Sequence, residues 1–127
     1  MNNIVLDTDI FVDFFRSFGK ALTYFEKLKD SDNIVYYSAV TEAELISGKE
    51  CNKIEKKAKI LDFLSNFTKV NVNNEIAIKA GDFSRINNIE TADAIIAATA
   101  FFMKAALITR NVNDYGRVKE ITIKVPY

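Results

Sequence analysis

The sequence predicts a single α/β domain over residues 1–127, a parallel sheet of about five strands with helices on both faces. Short apolar, β-branched runs alternate with helical stretches of about ten residues or more, a succession that builds parallel sheets through right-handed crossovers. With 49% apolar residues in 127, the chain supplies one sizeable core and no second. No period of about 20 to 50 residues recurs, and no linker rich in Pro, Gly or Ser divides the chain, so the strands belong to one sheet.

Ile4 to Leu6 is an apolar run that reads as a buried strand, and Asp7-Thr8-Asp9 ends it with residues suited to cap a helix. Ile10, Phe11, Phe14 and Phe15 then follow helical spacing; Gly19 permits a break before a second helix from Lys20 to Lys29. After the polar loop Asp30 to Asn33, Ile34 to Tyr37 is the second strand, and Ser38 or Thr41 caps a short helix running to Gly48. A longer helix is expected from about Asn52 to Asn66, then a third strand from Thr68 to Val72. Two more helices, Glu75 to Ile86 and Thr91 to Met103, lead to strands at Ala106 to Thr109 and Ile121 to Val125, where Pro126 stops the chain's last strand. The expected count is five strands and six or seven helices.

Composition removes several kinds of chemistry. Seventeen basic residues balance seventeen acidic ones, so any nucleic-acid binding must be local and cannot rest on overall positive charge. The chain has no histidine, which excludes Ser-His-Asp and Cys-His catalysis, imidazole bases and the usual zinc enzymes. Cys51 stands alone, which excludes an internal disulfide and a cysteine zinc site and suits a reducing compartment. The first ten residues reach an acid after three apolar positions, too soon for a signal-peptide core, and no run approaches the roughly 18 apolar residues of a membrane span; a cytoplasmic protein is expected. Hydrolytic chemistry then falls to carboxylates, lysine, tyrosine or a hard cation held by oxygen.

In an open parallel sheet, functional residues gather outside the carboxyl ends of the strands. Asp7 ends the first strand, Glu44 lies about one turn into the helix after the second, and Asn111 and Asp114 follow the fourth. Asp93 lies in the first turn of its helix and joins them only if that helix starts at the same edge. Singly, each has a structural explanation: Asp7 and Asp9 as caps, Asp93 as a complement to its helix dipole, Asp114 as a turn residue. As a set they would repel unless a divalent cation neutralised them, and oxygen-only cation sites recur in phosphodiester hydrolysis.

Four segments resemble, in order and spacing, the PIN-domain ribonucleases and especially the VapC-like toxins: Leu6-Asp7-Thr8-Asp9; Ser38 to Leu45 with Gly48; Thr91 to Ala100; and Ile108 to Tyr115. The resemblance spans the chain and implies a PIN-like α/β/α domain that acts as a magnesium- or manganese-dependent (Mg2+ or Mn2+) endoribonuclease, dimeric, and neutralised by a cognate antitoxin. By position, Asp7, Glu44 and Asp93 match the three acids expected to hold metal. The family often has Asp where this chain has Asn111, and Asp114 is the acid nearby, so Asp114 is the fourth candidate, with Asp9 and Asn111 as further candidate ligands. Thr8, Lys104 and Arg110 are candidates to position substrate. The Lys53, Lys56, Lys57 and Lys59 cluster is interrupted by Glu55 and reads as a solvated helix face. Phe11, Phe14 and Phe15 read as core or as an interface for an antitoxin or a second protomer. Two alternatives stay open: a non-catalytic α/β binding module whose acids are caps and ion-pair partners, and a carboxylate-and-metal phosphatase for a small substrate. No Gly-rich phosphate loop supports the latter, since the four glycines are isolated.

Overall fold

A computed structural model describes residues 2–127. The chain runs β1 (Asn3–Leu6), α1 (Thr8–Phe15), α2 (Gly19–Lys29), β2 (Ile34–Ser38), α3 (Ala39–Ile46), α4 (Ile54–Leu64), β3 (Thr68–Val70), α5 (Asn74–Asn87), α6 (Thr91–Met103), β4 (Ala106–Ile108), α7 (Val112–Tyr115) and β5 (Ile123–Lys124). All five strands are parallel, in the order β3-β2-β1-β4-β5. The chain leaves β1 toward one side and returns through β4 on the other, so the crevice beside β1 and β4 is the switch point where such sheets place their sites.

Alternation along the strands splits the core into two layers. Val5 and Leu107 face α5 and α6, packing against Ile76, Phe83, Ala94 and Ala97. Ile4, Leu6 and Ile108 face the other way, against Phe11, Phe25, Ile60 and Leu64 of α1, α2 and α4. The second layer is aromatic: Phe11 is fully buried, with ring centroids 5.7 Å from Phe25, 6.0 Å from Tyr37 and 5.8 Å from Phe67. The first is lined with alanine along α6, which lets that helix lie close to the sheet.

The helix starts follow the sequence. Asp7 caps α1, Ser38 caps α3 by accepting from the Val40 amide at 3.1 Å, and Asn73 caps α5 by accepting from the Ile76 amide at 2.9 Å. Helices α5 and α6 end on Asn88 and Lys104 in left-handed backbone, with φ 54° and φ 50°.

Four expectations are refined or corrected. The helix expected from about Asn52 to Asn66 is α4, one unbroken helix from Ile54 to Leu64; a 3-10 turn at Lys49–Asn52 precedes it and places Cys51 against the aromatic layer, and extended Lys53 joins the two. The turn-forming stretch after β4 contains the short helix α7. The last strand pairs over Ile123–Lys124 alone, and Thr41 does not cap α3, because its side chain is wholly buried and turned toward β1.

Candidate functional site

Parallel register builds the first part of the site. Leu6 pairs with Ile108, and the Asp7 amide donates to the Ile108 carbonyl at 2.9 Å, so Asp7 and Thr109 leave the sheet side by side. The Asp7 carboxylate, 5% exposed, accepts three hydrogen bonds: from the Thr8 amide at 2.9 Å, the Thr109 hydroxyl at 2.7 Å and the Tyr115 phenol at 3.1 Å. A carboxylate has about four lone-pair sites, so its orientation is fixed with about one acceptor position to spare.

Helix α6 starts at the same edge, which settles the position of Asp93. The Tyr115 phenol, carried there by α7, lies 3.3 Å from Asp93 Oδ1 as well as 3.1 Å from Asp7 Oδ1. On the other side, Thr8 Oγ1 donates to Glu44 Oε1 at 2.7 Å and lies 2.9 Å from Thr41 Oγ1, so buried Thr41 is the donor that completes the chain Thr41 to Thr8 to Glu44. Asn111 caps α7; its amide nitrogen donates to Asp114 Oδ2 at 3.2 Å. Asp9 accepts from the Arg110 amide at 3.1 Å through Oδ2, while its Oδ1 is buried with no hydrogen-bond partner.

The crowding of like charge shows in proton affinity. Burial, followed by the charge of Asp9, holds the Asp7 carboxyl well above the usual carboxylate range. Burial also raises Asp9. Asp93 is pushed up to about 6, first by burial, then by the charge of Asp7, with Glu44 and Asp114 adding to it. The Tyr115 phenol, buried between two carboxylates, is raised and so stays a donor.

Asp7, Glu44, Asp93 and Asp114, together with Asp9, Thr8 and Asn111, therefore lie about one end of the sheet. Two of the substrate-positioning candidates are placed differently from the acids. Lys104 ends α6 at the opposite edge, beside Asn3 and Ala106 at the starts of β1 and β4 and about 16 Å along the helix from Asp93. The Arg110 guanidinium lies near the site but grips Asp13, donating from Nε at 2.7 Å and from its terminal nitrogen at 2.9 Å; the Tyr127 phenol donates to the same carboxylate at 2.6 Å. Thr8 spends its hydroxyl on Glu44. Sequence reasoning missed Thr41, Thr109 and Tyr115, hydroxyl residues whose only signal was their place beside the quoted acids.

The donor set fits a hard divalent cation. All its oxygens are carboxylate, amide or hydroxyl, the acids raise one another's proton affinity, and buried Asp9 Oδ1 lacks a partner that a cation or its water would supply. Among the described residues, no three acidic side chains are drawn together tightly enough to form a ready cation cage.

A family model described as PIN domain matches residues 4–120. Comparison with curated proteins finds no match. Among solved structures, a toxin-antitoxin complex from Klebsiella pneumoniae has a chain 26% identical, with TM-score 0.81 over 98% of each chain. DNA-bound VapBC from Salmonella typhimurium gives TM-score 0.83 at 20% identity over 100% of each chain. VapBC2 from Rickettsia felis bound to a promoter DNA fragment gives 0.80 at 23%, covering 96% of this chain and 97% of that one.

Proposed function

The chain belongs to the PIN-domain family, a family of nucleases, and we propose from that premise that it is a metal-dependent endoribonuclease, the toxin of a toxin-antitoxin pair. The observation that carries this reading is the meeting of Asp7 and Asp93 on one phenol, with Glu44 and Asp114 close enough for their charges to act on Asp93. In this reading Asp7, Glu44, Asp93 and Asp114 hold the cation, with Asp9 and Asn111 beside them. When bound, Mg2+ or Mn2+ supplies charge neutralisation, activation of water and stabilisation of the departing oxygen in phosphodiester hydrolysis.

The chain's own residues prepare that chemistry. Thr8, Thr109 and Tyr115 fix the direction of Asp7 by hydrogen bonds from three sides. The Thr41 and Thr8 hydroxyls hold exposed Glu44 toward β1, and Asn111 holds Asp114. The edge is open to a polymer, with Glu44 at its solvent side. A groove of about 950 Å³ between α1 and α4, lined by Val12, Phe14, Phe15 and Phe63, reaches Glu44; an antitoxin segment laid there would meet the site directly. The likeness to toxin-antitoxin complexes supports such a partner, and the half-buried Phe14 and Phe15 support a covered face in the antitoxin complex or the homodimer. No helix among the described residues is long and apolar enough to cross a membrane.

The test is cleavage of a mixed RNA pool with Mg2+, with Mn2+ and with chelator, comparing the intact chain with Asp7→Asn. The reading expects cleavage that needs the cation and loses about 100-fold or more, ~3 kcal/mol of barrier lowering, in the variant. Cleavage that persists undiminished in chelator, or in the folded variant, rejects it.

A further inference from the structure

Tyr115 stands apart from the acids it touches. Its ring is wholly buried in the layer between the sheet, α5 and α6, so it has no room to swing. The phenol has two hydrogen-bond partners, Asp7 Oδ1 at 3.1 Å and Asp93 Oδ1 at 3.3 Å, and one proton to share between them. Asp7 has two further donors, the Thr8 amide and the Thr109 hydroxyl. The bond from Tyr115 is the side-chain hydrogen bond of Asp93 among the described residues. Remove the phenol oxygen and Asp7 stays aimed by two donors, while Asp93 keeps none and is pushed outward by Asp7.

We propose that the Tyr115 hydroxyl is a positioning residue that gathers Asp7 and Asp93 into one cation-binding pair. The inference rests on the metal-centre reading above. Donors behind ligating carboxylates hold them in register against their mutual repulsion, and losing one costs about 10- to 100-fold in metal affinity. The opposite arrangement, in which the phenol competes with the cation for the same oxygens, predicts tighter binding once it is gone, so the sign of the change decides.

The experiment is calorimetric titration of Mn2+ alone into the whole chain, its Tyr115→Phe variant and a Val118→Ala variant, with thermal melting of each in chelator. Val118 is 2% exposed in the same layer and has an apolar side chain that can donate to neither carboxylate. The expected result is binding about ten-fold weaker or more in Tyr115→Phe, with cooperative melting retained, and unchanged affinity in Val118→Ala despite its lower melting temperature. Equal or tighter binding in Tyr115→Phe overturns the inference and leaves the metal centre standing. Equal weakening in Val118→Ala, or a Tyr115→Phe chain that no longer melts cooperatively, assigns Tyr115 to the core and overturns it as well. A parent chain that takes up no Mn2+ overturns the metal centre and the inference together.

Discussion

Asp93 holds its proton up to about 6 because it is half buried and faces the charges of Asp7, Glu44 and Asp114. An acid whose folded value exceeds its ordinary 3.8 stabilises the fold while protonated, and that contribution is lost as pH rises through the folded value. As far as this site is concerned, the cation-free protein should therefore be most stable below about pH 4 and lose that contribution as pH rises from there through about 6, melting several degrees lower near pH 7.5 than near pH 4.5; buried Asp7, shifted the same way, acts in the same sense. Asp93→Asn should raise the melting temperature at pH 7.5 by about 2–4 °C, a modest figure because solvent screens a half-exposed group, and should flatten the dependence. Scanning calorimetry in chelator between pH 4.5 and 7.5 checks this; a wild-type melting temperature that climbs with pH contradicts it. Asp114 and Asn111 differ by charge. Asp114→Asn should raise the Mn2+ concentration needed for half-maximal cleavage several-fold, since a carboxylate gives the cation a full negative charge. Asn111→Ala removes a cap and the donor to Asp114, costing about 1 kcal/mol of local stability with a smaller shift in metal requirement. Metal titrations of the two activities separate them.

Among the elements, α1 has the most to hold together: its first residues orient the acids and its later ones anchor the aromatic layer. Phe11, at 0% exposure amid Phe25, Tyr37, Phe63 and Phe67, should lose about 3–5 kcal/mol on Phe11→Ala, read by urea denaturation, because the rings around it are too large to collapse into the space. Most elements were legible because their signals are local: the β-branched run of β2, the helical spacing of α1, the caps Asp7 and Ser38. The 3-10 turn Lys49–Asn52 before α4 was not, since it has no side-chain cap and Cys51 packs against a layer distant in sequence. Helix α7 is four residues of turn-forming character, Val112 to Tyr115, held by Asn111 and by the burial of Tyr115, neither visible in a window of its own sequence. Likewise, the acids were legible as a set by their relation to strand ends, whereas Thr41 and Tyr115 acquire their partners only once β1, α3, α6 and α7 meet. Lys104 shows the converse: its place in the sequence does not tell which edge it reaches, and the length of α6 carries it to the edge opposite the acids.

At the scale of the molecule, relief of the acidic edge by a cation is a contribution to global stability. Saturating Mn2+ should raise the melting temperature of the parent chain, by about 2.7 kcal/mol of added stability at 100 times the dissociation constant, and chelator should reverse it; Asp7→Asn should show a far smaller rise. A parent chain whose melting curve ignores Mn2+ would count against the centre. The groups proposed to hold that cation stand at positions 7, 44, 93 and 114, on four separate stretches of chain brought together by the order β3-β2-β1-β4-β5. No fragment of the polypeptide owns the chemistry. In the proposed reading the four acids come together only once β4 has paired beside β1 and Asp114 and Tyr115 have reached the same edge. A cut that parts β1 from β4 in that reading takes the acids away from one another along with the sheet, so the centre would be lost as a unit.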